Sequence, residues 1–298
     1  MHVPVLLREV MEIIEPTSES RILDCTFGGG GHTKAILDMA NCYVCAIDRD
    51  PDAEQRAKEI KLRYKNRFDF IRGNFSNISN IFCDSEKFDA VLFDLGISSF
   101  QLDEAERGFS FSKDARLDMR MSKNGISAYE VVNSYSEEDL ANIIWTYGEE
   151  KKSRKIASYI VKSRQNNPIE TTLQLSAIIH SAIGFPFDRK KYSKIDTATK
   201  TFQAIRIFVN DELKELHVAL NSLHQILNNN AKIAIISFHS LEDRIVKNWA
   251  RLKNGIQKIN KTIIKPTLEE IQNNPRSRSA ILRGFLYTKN REILESRN

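Results

Sequence analysis

The chain has 298 residues, of which 41% are hydrophobic and 28% are charged, and its formal net charge is +5 at pH 7. This is the ordinary balance of a soluble protein, and the length is enough for one large or two modest domains. No apolar run approaches the roughly 20 residues that span a bilayer, and the acidic Glu9, Glu12 and Glu15 argue against a signal peptide.

The first predicted strand leads into the glycine-rich stretch RILDCTFGGGGHT, residues 21–33. Its apolar start ends at Asp24, Gly28–Gly31 follow, and the next residues have the apolar spacing of a helix. Glycine lets a ligand approach the backbone, and a helix start offers free N–H groups. The stretch therefore predicts the first crossover of a doubly wound α/β domain that binds a nucleotide-like cofactor.

The details of this turn argue against a phosphate-bearing cofactor. Thr33 stands where the dinucleotide fingerprint has its third glycine, and no Lys-Ser or Lys-Thr follows as in a phosphate loop. Asp24 would repel a pyrophosphate, whereas it could hold an ammonium group or ribose hydroxyls. The second strand, residues 43–47, ends in Asp48, whose carboxylate suits ribose hydroxyls. These features predict S-adenosylmethionine.

Two further strands add candidates at the same edge of the sheet. The third, residues 68–71, is followed by Phe75, which offers an aromatic wall for adenine, and the fourth, residues 88–93, ends at Asp94. Ligands of such sheets lie beyond the carboxyl ends of the strands, so we expect Gly30, Asp48, Phe75 and Asp94 to line one crevice.

The alternation of strand and helix stops after the fourth strand. Residues 102–200 contain no convincing strand, and helices are predicted from Ser136, over residues 149–162 and from Thr171 or Thr172. We predict an inserted all-helical domain over 102–200 within a discontinuous domain of residues 1–101 and 201–298. The later part is expected to contain a helix over 202–227, a strand over 232–236, a helix over 241–252, a sixth strand at Ile259, Ile263 and Ile264, and an antiparallel last strand over 280–287.

Cysteine usage predicts a reducing compartment. Four cysteines do not make a disulfide framework, and the pair Cys42-x-x-Cys45 lacks the second pair that a zinc site needs. We interpret Cys42 and Cys45 as core residues, predict no metal, and expect a cytoplasmic protein.

Positive charge is concentrated in two segments. Residues 151–200 contain 11 basic and 3 acidic residues, a net of +8, and residues 244–298 contain 13 and 4, a net of +9. Two basic segments on an otherwise acidic chain favour a polyanionic partner. Solvated helix surfaces would account for the composition equally well.

The motifs, in order, resemble those of the bacterial small-subunit ribosomal RNA cytosine-N4 methyltransferases of the MraW/RsmH type. The matching stretches are HVPVLL (2–7), TFGGGGHT (26–33), AIDRDP (46–51), DLGISS (94–99), QLD (101–103), ERGFSF (106–111), LDMRM (117–121), TFQAIR (201–206), ISFHSLEDR (236–244) and NPRSRS (274–279). The chain departs from the family at Phe100, where the family usually has Pro, and at Ala115-Arg116, where it usually has Gly-Pro.

The resemblance implies a Rossmann-like, class I methyltransferase sheet with an inserted helical substrate-recognition domain. It implies methyl transfer from S-adenosylmethionine to N4 of a cytosine in the decoding region of 16S ribosomal RNA. The substrate would be this RNA or the assembled small subunit, with no membrane, and the enzyme a monomer or homodimer. The implied cofactor contacts are Gly30, Gly31, His32, Asp48, Phe75, Asp94 and Gln101.

The chemistry requires a hydrogen-bond acceptor, because an exocyclic cytosine amine is a poor nucleophile whose N–H bond must be polarised. Asp94 is the predicted catalytic residue, with the carbonyl groups of Leu95 and Gly96 beside it. His32 and His239 are alternative proton acceptors. The Asp/Asn/Ser-Pro-Pro-Tyr motif usual in amino-methyltransferases is absent here.

Two other classes of protein remain open at this point. An NAD-dependent oxidoreductase is disfavoured by the missing third glycine and by the basic segments. A non-catalytic RNA-binding protein on the same fold is disfavoured by the intact Gly30, Asp48 and Asp94.

Overall fold

The computed structural model describes residues 4–82, 86–184 and 198–289. The chain forms two compact units, the first made of Met1–Gly96 and Leu213–Asn298 and the second of Ile97–Glu212. Four basic residues of the predicted polyanion-binding segment, Arg189, Lys190, Lys191 and Lys194, lie outside the described residues.

The first unit is built on a seven-stranded sheet with the order β3-β2-β1-β4-β5-β7-β6. The strands are β1 (Arg21–Asp24), β2 (Tyr43–Asp48), β3 (Phe68–Arg72), β4 (Phe88–Asp94), β5 (Leu227–Ser237), β6 (Ile256–Lys258) and β7 (Ile281–Tyr287). Strands β1 to β5 are parallel, and β7 pairs antiparallel with both β5 and β6. The predicted doubly wound, Rossmann-like α/β fold and the antiparallel last strand are confirmed.

Helices cover both faces of this sheet and make up most of the second unit. They are α1 (Leu7–Ile14), α2 (Gly31–Met39), α3 (Ala53–Tyr64), α4 (Ile78–Ile81), α5 (Ser99–Asp103), α6 (Ala128–Ser134), α7 (Glu137–Gly148), α8 (Ser153–Arg164), α9 (Thr172–Ile183), α10 (Ala198–Asn210), α11 (Glu212–Ser222), α12 (Ser240–Leu252) and α13 (Leu268–Asn273). Among the described residues, no helix is both long and apolar enough to cross a membrane.

Alternate residues of the central strands pack into two separate apolar layers, one on each face of the sheet. Ile22, Val44 and Leu92 pack on the face of α1 and α2, while Leu23 and Val91 pack on the face of α11 and α12. The central strands are therefore buried on both sides, which explains their nearly continuous apolar sequences. The prediction of core cysteines is confirmed, because Cys42 lies in the first layer and Cys45 in the second.

The second unit has its own core, formed mainly by α7, α8, α9 and α10. Four of the helices described in this unit begin with a side-chain cap, at Ser98, Ser127, Ser136 and Thr171, and the last two were predicted. The departure at Ala115-Arg116 lies in extended backbone: Ala115 O accepts Thr172 N–H at 2.8 Å and Arg116 forms a bridge with Thr171.

Two element predictions near the end of the chain are wrong. The single helix over 202–227 is interrupted at Asp211, whose φ of 52° is left-handed and ends α10. The chain leaves the second unit there, and hydrophobic periodicity alone does not reveal such a break. The sixth strand lies at Ile256–Lys258, while Ile264 forms only an isolated bridge with Leu282.

Candidate functional site

The glycine-rich turn is fixed by backbone conformation and by packing. Gly30 has φ of 72°, and a Cβ there would lie 2.5 Å from Cδ1 of Ile60 and 2.8 Å from the ring of Phe27. A Cβ on Gly31 would lie 2.6 Å from Cγ of Pro4. A side chain at either position would force these neighbours to shift, so the close packing of the turn favours glycine at both.

Asp24 lies inside the fold. It is 1% exposed, its Oδ1 accepts the N–H of Thr26 at 3.0 Å, and its Oδ2 accepts the hydroxyl of Thr33 at 2.7 Å. Burial raises the pKa of Asp24. The carboxylate joins the turn to α2, so the interpretation that it holds an ammonium group or ribose hydroxyls is not supported.

Asp48 holds the other side of the turn. Its Oδ2 accepts the N–H of Gly28 at 2.7 Å and its Oδ1 accepts the N–H of Asp50 at 2.8 Å. Burial raises the pKa of Asp48 to about 6 although both bonds favour the charged form. A carboxylate offers about four acceptor positions, so two remain for the hydroxyls of a ribose.

Asp94 and His32 form a pair at the end of β4. Oδ2 of Asp94 lies 3.5 Å from Nε2 of His32, with His32 5% exposed and Asp94 26% exposed. The backbone N–H of Asp94 donates to the hydroxyl of Thr26 at 2.6 Å, which ties this pair to the turn that Asp24 anchors. Both ring nitrogens of His32 and Oδ1 of Asp94 are buried without a hydrogen-bond partner among the described residues.

Unsatisfied buried polar atoms require a partner, and beyond the carboxyl end of β4, beside the glycine-rich turn, a bound ligand can supply one. The atoms present fit S-adenosylmethionine, which has ribose hydroxyls, an amino group and no phosphate. Asp48 is the last residue of β2 and Asp94 is the last residue of β4, so both carboxylates lie at the same edge of the sheet. Their negative charges would repel a pyrophosphate.

Phe75 follows β3, where Gly73 N–H donates to the carbonyl of Asp48 at 2.9 Å. Its ring is half-buried and packs edge-on against Phe93, with centroids 5.6 Å apart. One side of Phe75 is therefore part of the core, and its predicted contact with adenine stays a prediction.

Gln101 belongs to the second unit and lies in the first turn of α5. Its Oε1 accepts the N–H of Ser98 at 3.0 Å, and Ser98 Oγ accepts the N–H of Gln101 at 3.2 Å, a reciprocal capping box. This cap fixes the turn that a proline would otherwise stiffen, and Phe100 is 42% exposed beside it. The contact of Gln101 with the cofactor remains a prediction.

His239 caps α12, a role that favours structure over proton transfer. Its Nδ1 accepts the N–H of Glu242 at 3.3 Å, and Glu242 Oε2 accepts the N–H of Phe238 at 2.7 Å. Sequence reasoning missed this cap, although His followed three residues later by Glu has the spacing of a capping box. It also missed Thr26 and Thr33, whose hydroxyls connect Asp24, the turn and Asp94.

The comparisons with known proteins identify the family of the chain. Residues 1–287 match the model of the MraW methylase family. Proteins named ribosomal RNA small subunit methyltransferase H are similar over nearly their whole length. The one from Ehrlichia canis is 49% identical over 299 residues, covering 96% of this chain and 99% of that protein. The one from Orientia tsutsugamushi strain Ikeda is 46% identical over 306 residues, covering 96% and 98%.

The family model covers most of the chain, and the cofactor expected from the turn agrees with it. The chain therefore belongs to the MraW methylase family, and it is an S-adenosylmethionine-dependent methyltransferase, as the sequence predicted.

Proposed function

We propose that the protein transfers a methyl group from S-adenosylmethionine to N4 of a cytosine in the decoding region of small-subunit ribosomal RNA. The observation that carries the proposal is the Asp94–His32 pair, with its unsatisfied buried atoms, beside the glycine-rich turn. The names of the relatives support the RNA substrate. Family membership disfavours an NAD-dependent oxidoreductase and a non-catalytic RNA-binding protein.

The residues divide the work between binding and chemistry. Asp48 holds the ribose hydroxyls, Phe75 lines the adenine, and the backbone of Gly30 and Gly31 contacts the cofactor. His32 and Gln101 complete the predicted contacts with the cofactor. The second unit recognises the RNA. The substrate is this RNA, either free or assembled into the small subunit, and the reaction takes place in the cytoplasm. The enzyme acts as a monomer or a homodimer.

The protein's contribution to chemistry is orientation and charge. S-adenosylmethionine supplies a methyl group on an electrophilic sulfonium. Asp94 accepts a hydrogen bond from the N4–H of cytosine, so that the nitrogen lone pair is available as the N–C bond forms and the C–S bond breaks. Asp94 then takes the proton, and Thr26 keeps the backbone of Asp94 in place through the 2.6 Å hydrogen bond to its hydroxyl.

Incubation of small-subunit RNA with the protein and radiolabelled S-adenosylmethionine tests this proposal. Nucleoside analysis should find the label in N4-methylcytidine. Label in 5-methylcytidine or in a ribose methyl group would contradict the proposed chemistry.

Cofactor binding should depend on Asp48 and on pH. We expect S-adenosylmethionine and its demethylated product to bind in calorimetry and NAD not to bind, and Asp48→Ala to cost about 1–3 kcal/mol, as for hydrogen bonds to a charged group. Ribose hydroxyls favour the carboxylate form of Asp48, whose pKa in the unliganded protein is about 6. Affinity should therefore rise as the pH increases through about 6 and become constant above about 7.

Asp48→Asn serves as the control, because it keeps the shape of the side chain and does not titrate. The rise in affinity near pH 6 should be absent in this variant. A wild-type affinity that is constant between pH 5 and 7 would show that the cofactor does not contact the carboxylate of Asp48.

A further inference from the structure

We propose that one exposed face of α8 binds the phosphodiester backbone of the RNA substrate. This face, the α8 basic face, consists of Arg154, Lys155, Tyr159 and Lys162 on α8 and of Lys151 in the turn just before the helix. The inference rests on the proposed function for the identity of the RNA, and it assigns a specific surface of the second unit to it.

Helical spacing places these cations on one side of α8. Ser153, Ile156, Ala157 and Ile160 face the core of the unit and are buried. On the exposed side, Lys155 and Lys162 are seven residues apart, so they lie along one line of the helix surface, and Lys151 lies in the turn two residues before the helix begins. At 1.5 Å per residue, Lys155 and Lys162 are separated by about 10 Å along the axis.

Within and after α8, the cations of the α8 basic face have few acidic counterparts in the sequence, and the nearest acids before the helix are Glu149 and Glu150. Neither α8 nor the neighbouring α9 contains an acidic residue, and the segment between them contains only Glu170. Before α8, the carboxylate of Glu150 accepts the N–H of Lys152 at 2.8 Å. No ion pair joins the cations of the face to another described residue, while Lys155 lies 5.8 Å from the ring centroid of Tyr159.

Two other basic residues of this region hold the fold together and are therefore not counted in the face. Lys152 Nζ donates to the carbonyl of Ile183 at 3.2 Å. Arg164 donates through Nη1 to the carbonyl of Val132 at 2.6 Å and through Nη2 to that of Tyr135. The four cations of the α8 basic face have no comparable structural use.

The placement of these cations opposes helix stability. Positive side chains near a helix N-terminus oppose its dipole and so destabilise the helix. The preceding helix, α7, has Glu137, Glu138 and Asp139 in its first turn, as stability favours. Arg154 and Lys155 occupy the corresponding turn of α8. Residues that go against the charge preference of a helix terminus are expected at functional sites.

The chemistry of the face fits phosphates better than a protein partner. It has no large exposed apolar side chain, which a protein interface would normally bury. Lysines act as strongly hydrated point charges that contact phosphate oxygens without a fixed geometry. Such contacts give affinity without sequence preference, while the cytosine itself is read in the methyl-transfer site.

The test replaces Lys151, Lys155 and Lys162 together by Gln in the full-length protein. Binding of a decoding-region fragment of small-subunit RNA is measured against salt concentration. Each lost phosphate contact should reduce the slope of log K against log[salt] by about 0.7–0.9, so the triple variant should lower it by about 2–3. Cofactor affinity by calorimetry and the rate at saturating RNA should stay at the wild-type values.

A matched control replaces Lys58, Lys61 and Lys65 by Gln, on and just after α3. That surface also contains the acids Glu54 and Glu59, and Lys61 pairs with Asp69. The control removes the same charge and should lower the slope by much less than the α8 variant. Equal slopes for the wild type and the α8 variant would overturn the proposal.

Two further outcomes separate this inference from the proposed function. If the α8 variant bound naked RNA normally and the assembled subunit weakly, the face would contact an acidic protein, and the proposal would be wrong. If the slope fell as expected but the wild-type protein formed no N4-methylcytidine, RNA binding by the α8 basic face would be supported. The proposed methyl-transfer reaction would be contradicted.

Discussion

Asp94→Asn is expected to lower kcat for methyl transfer about 100-fold or more, the scale of one removed electrostatic stabiliser. The substitution keeps the shape of the side chain, removes its charge and replaces one acceptor oxygen with a donor NH₂. Asp94 is also a predicted cofactor ligand, so we expect several-fold weaker binding of S-adenosylmethionine in addition. Single-turnover methylation at saturating cofactor isolates the loss in the chemical step.

The two contributions of Asp94 are distinguished by the pattern of kinetic constants. An interaction made only in the transition state lowers kcat and kcat/KM equally, whereas lost uniform binding raises KM alone. If Asp94→Asn reacts at the wild-type rate with saturating cofactor, Asp94 only binds cofactor. The acceptor would then be a backbone carbonyl group of Leu95 or Gly96, or the ring of His32.

Gly30→Ala is expected to destabilise the protein by about 2–5 kcal/mol. The left-handed conformation of Gly30 costs an L-residue about 1–2 kcal/mol. The new Cβ would lie 2.5 Å from Ile60 and 2.8 Å from Phe27, and overpacking of this kind costs about 1–3 kcal/mol. Urea denaturation measures the loss, and calorimetry should show weaker cofactor binding because the start of α2 is displaced.

Substitutions at two other glycines distinguish the cost of backbone strain from the cost of steric overlap. Gly125 also has a positive φ, of 83°, but a Cβ there meets no atom within 4 Å, so Gly125→Ala should cost about 1–2 kcal/mol. Gly31 is the first residue of α2 and has no positive φ, and a Cβ there would lie 2.6 Å from Pro4, so Gly31→Ala reports overlap alone. If Gly30→Ala cost no more than Gly125→Ala, the turn would not be packed as described.

The sheet was predictable because the strands β1, β2 and β4 are apolar runs in the sequence that each end at an aspartate. The apolar runs that end at Asp24, Asp48 and Asp94 are buried on both faces, and such runs between helical segments indicate a parallel sheet. The Gly-rich turn was recognisable for a related reason, since only glycine fits the conformation and the space at Gly30. The helix caps at Ser136 and Thr171 were visible from residue type alone.

Features that depend on contacts distant in sequence were not predictable. The hydroxyl of Thr26 accepts the N–H of Asp94, 68 residues further along the chain, and no local pattern encodes that contact. The burial of Asp24 depends on its contact with Thr33 and on the sheet around it, and the sequence did not reveal it. The break at Asp211 falls inside a continuous apolar periodicity, so the pattern predicted one helix where there are two.

Mass-spectrometric mapping of small-subunit ribosomal RNA from cells with and without the protein tests the central claim most directly. We predict one cytosine in the decoding region whose N4 methyl group is absent without the protein. It should return with the wild-type protein and be strongly reduced with Asp94→Asn. An unchanged methylation pattern in cells that lack the protein, or the loss of a methyl group from a different base or position, would contradict this account.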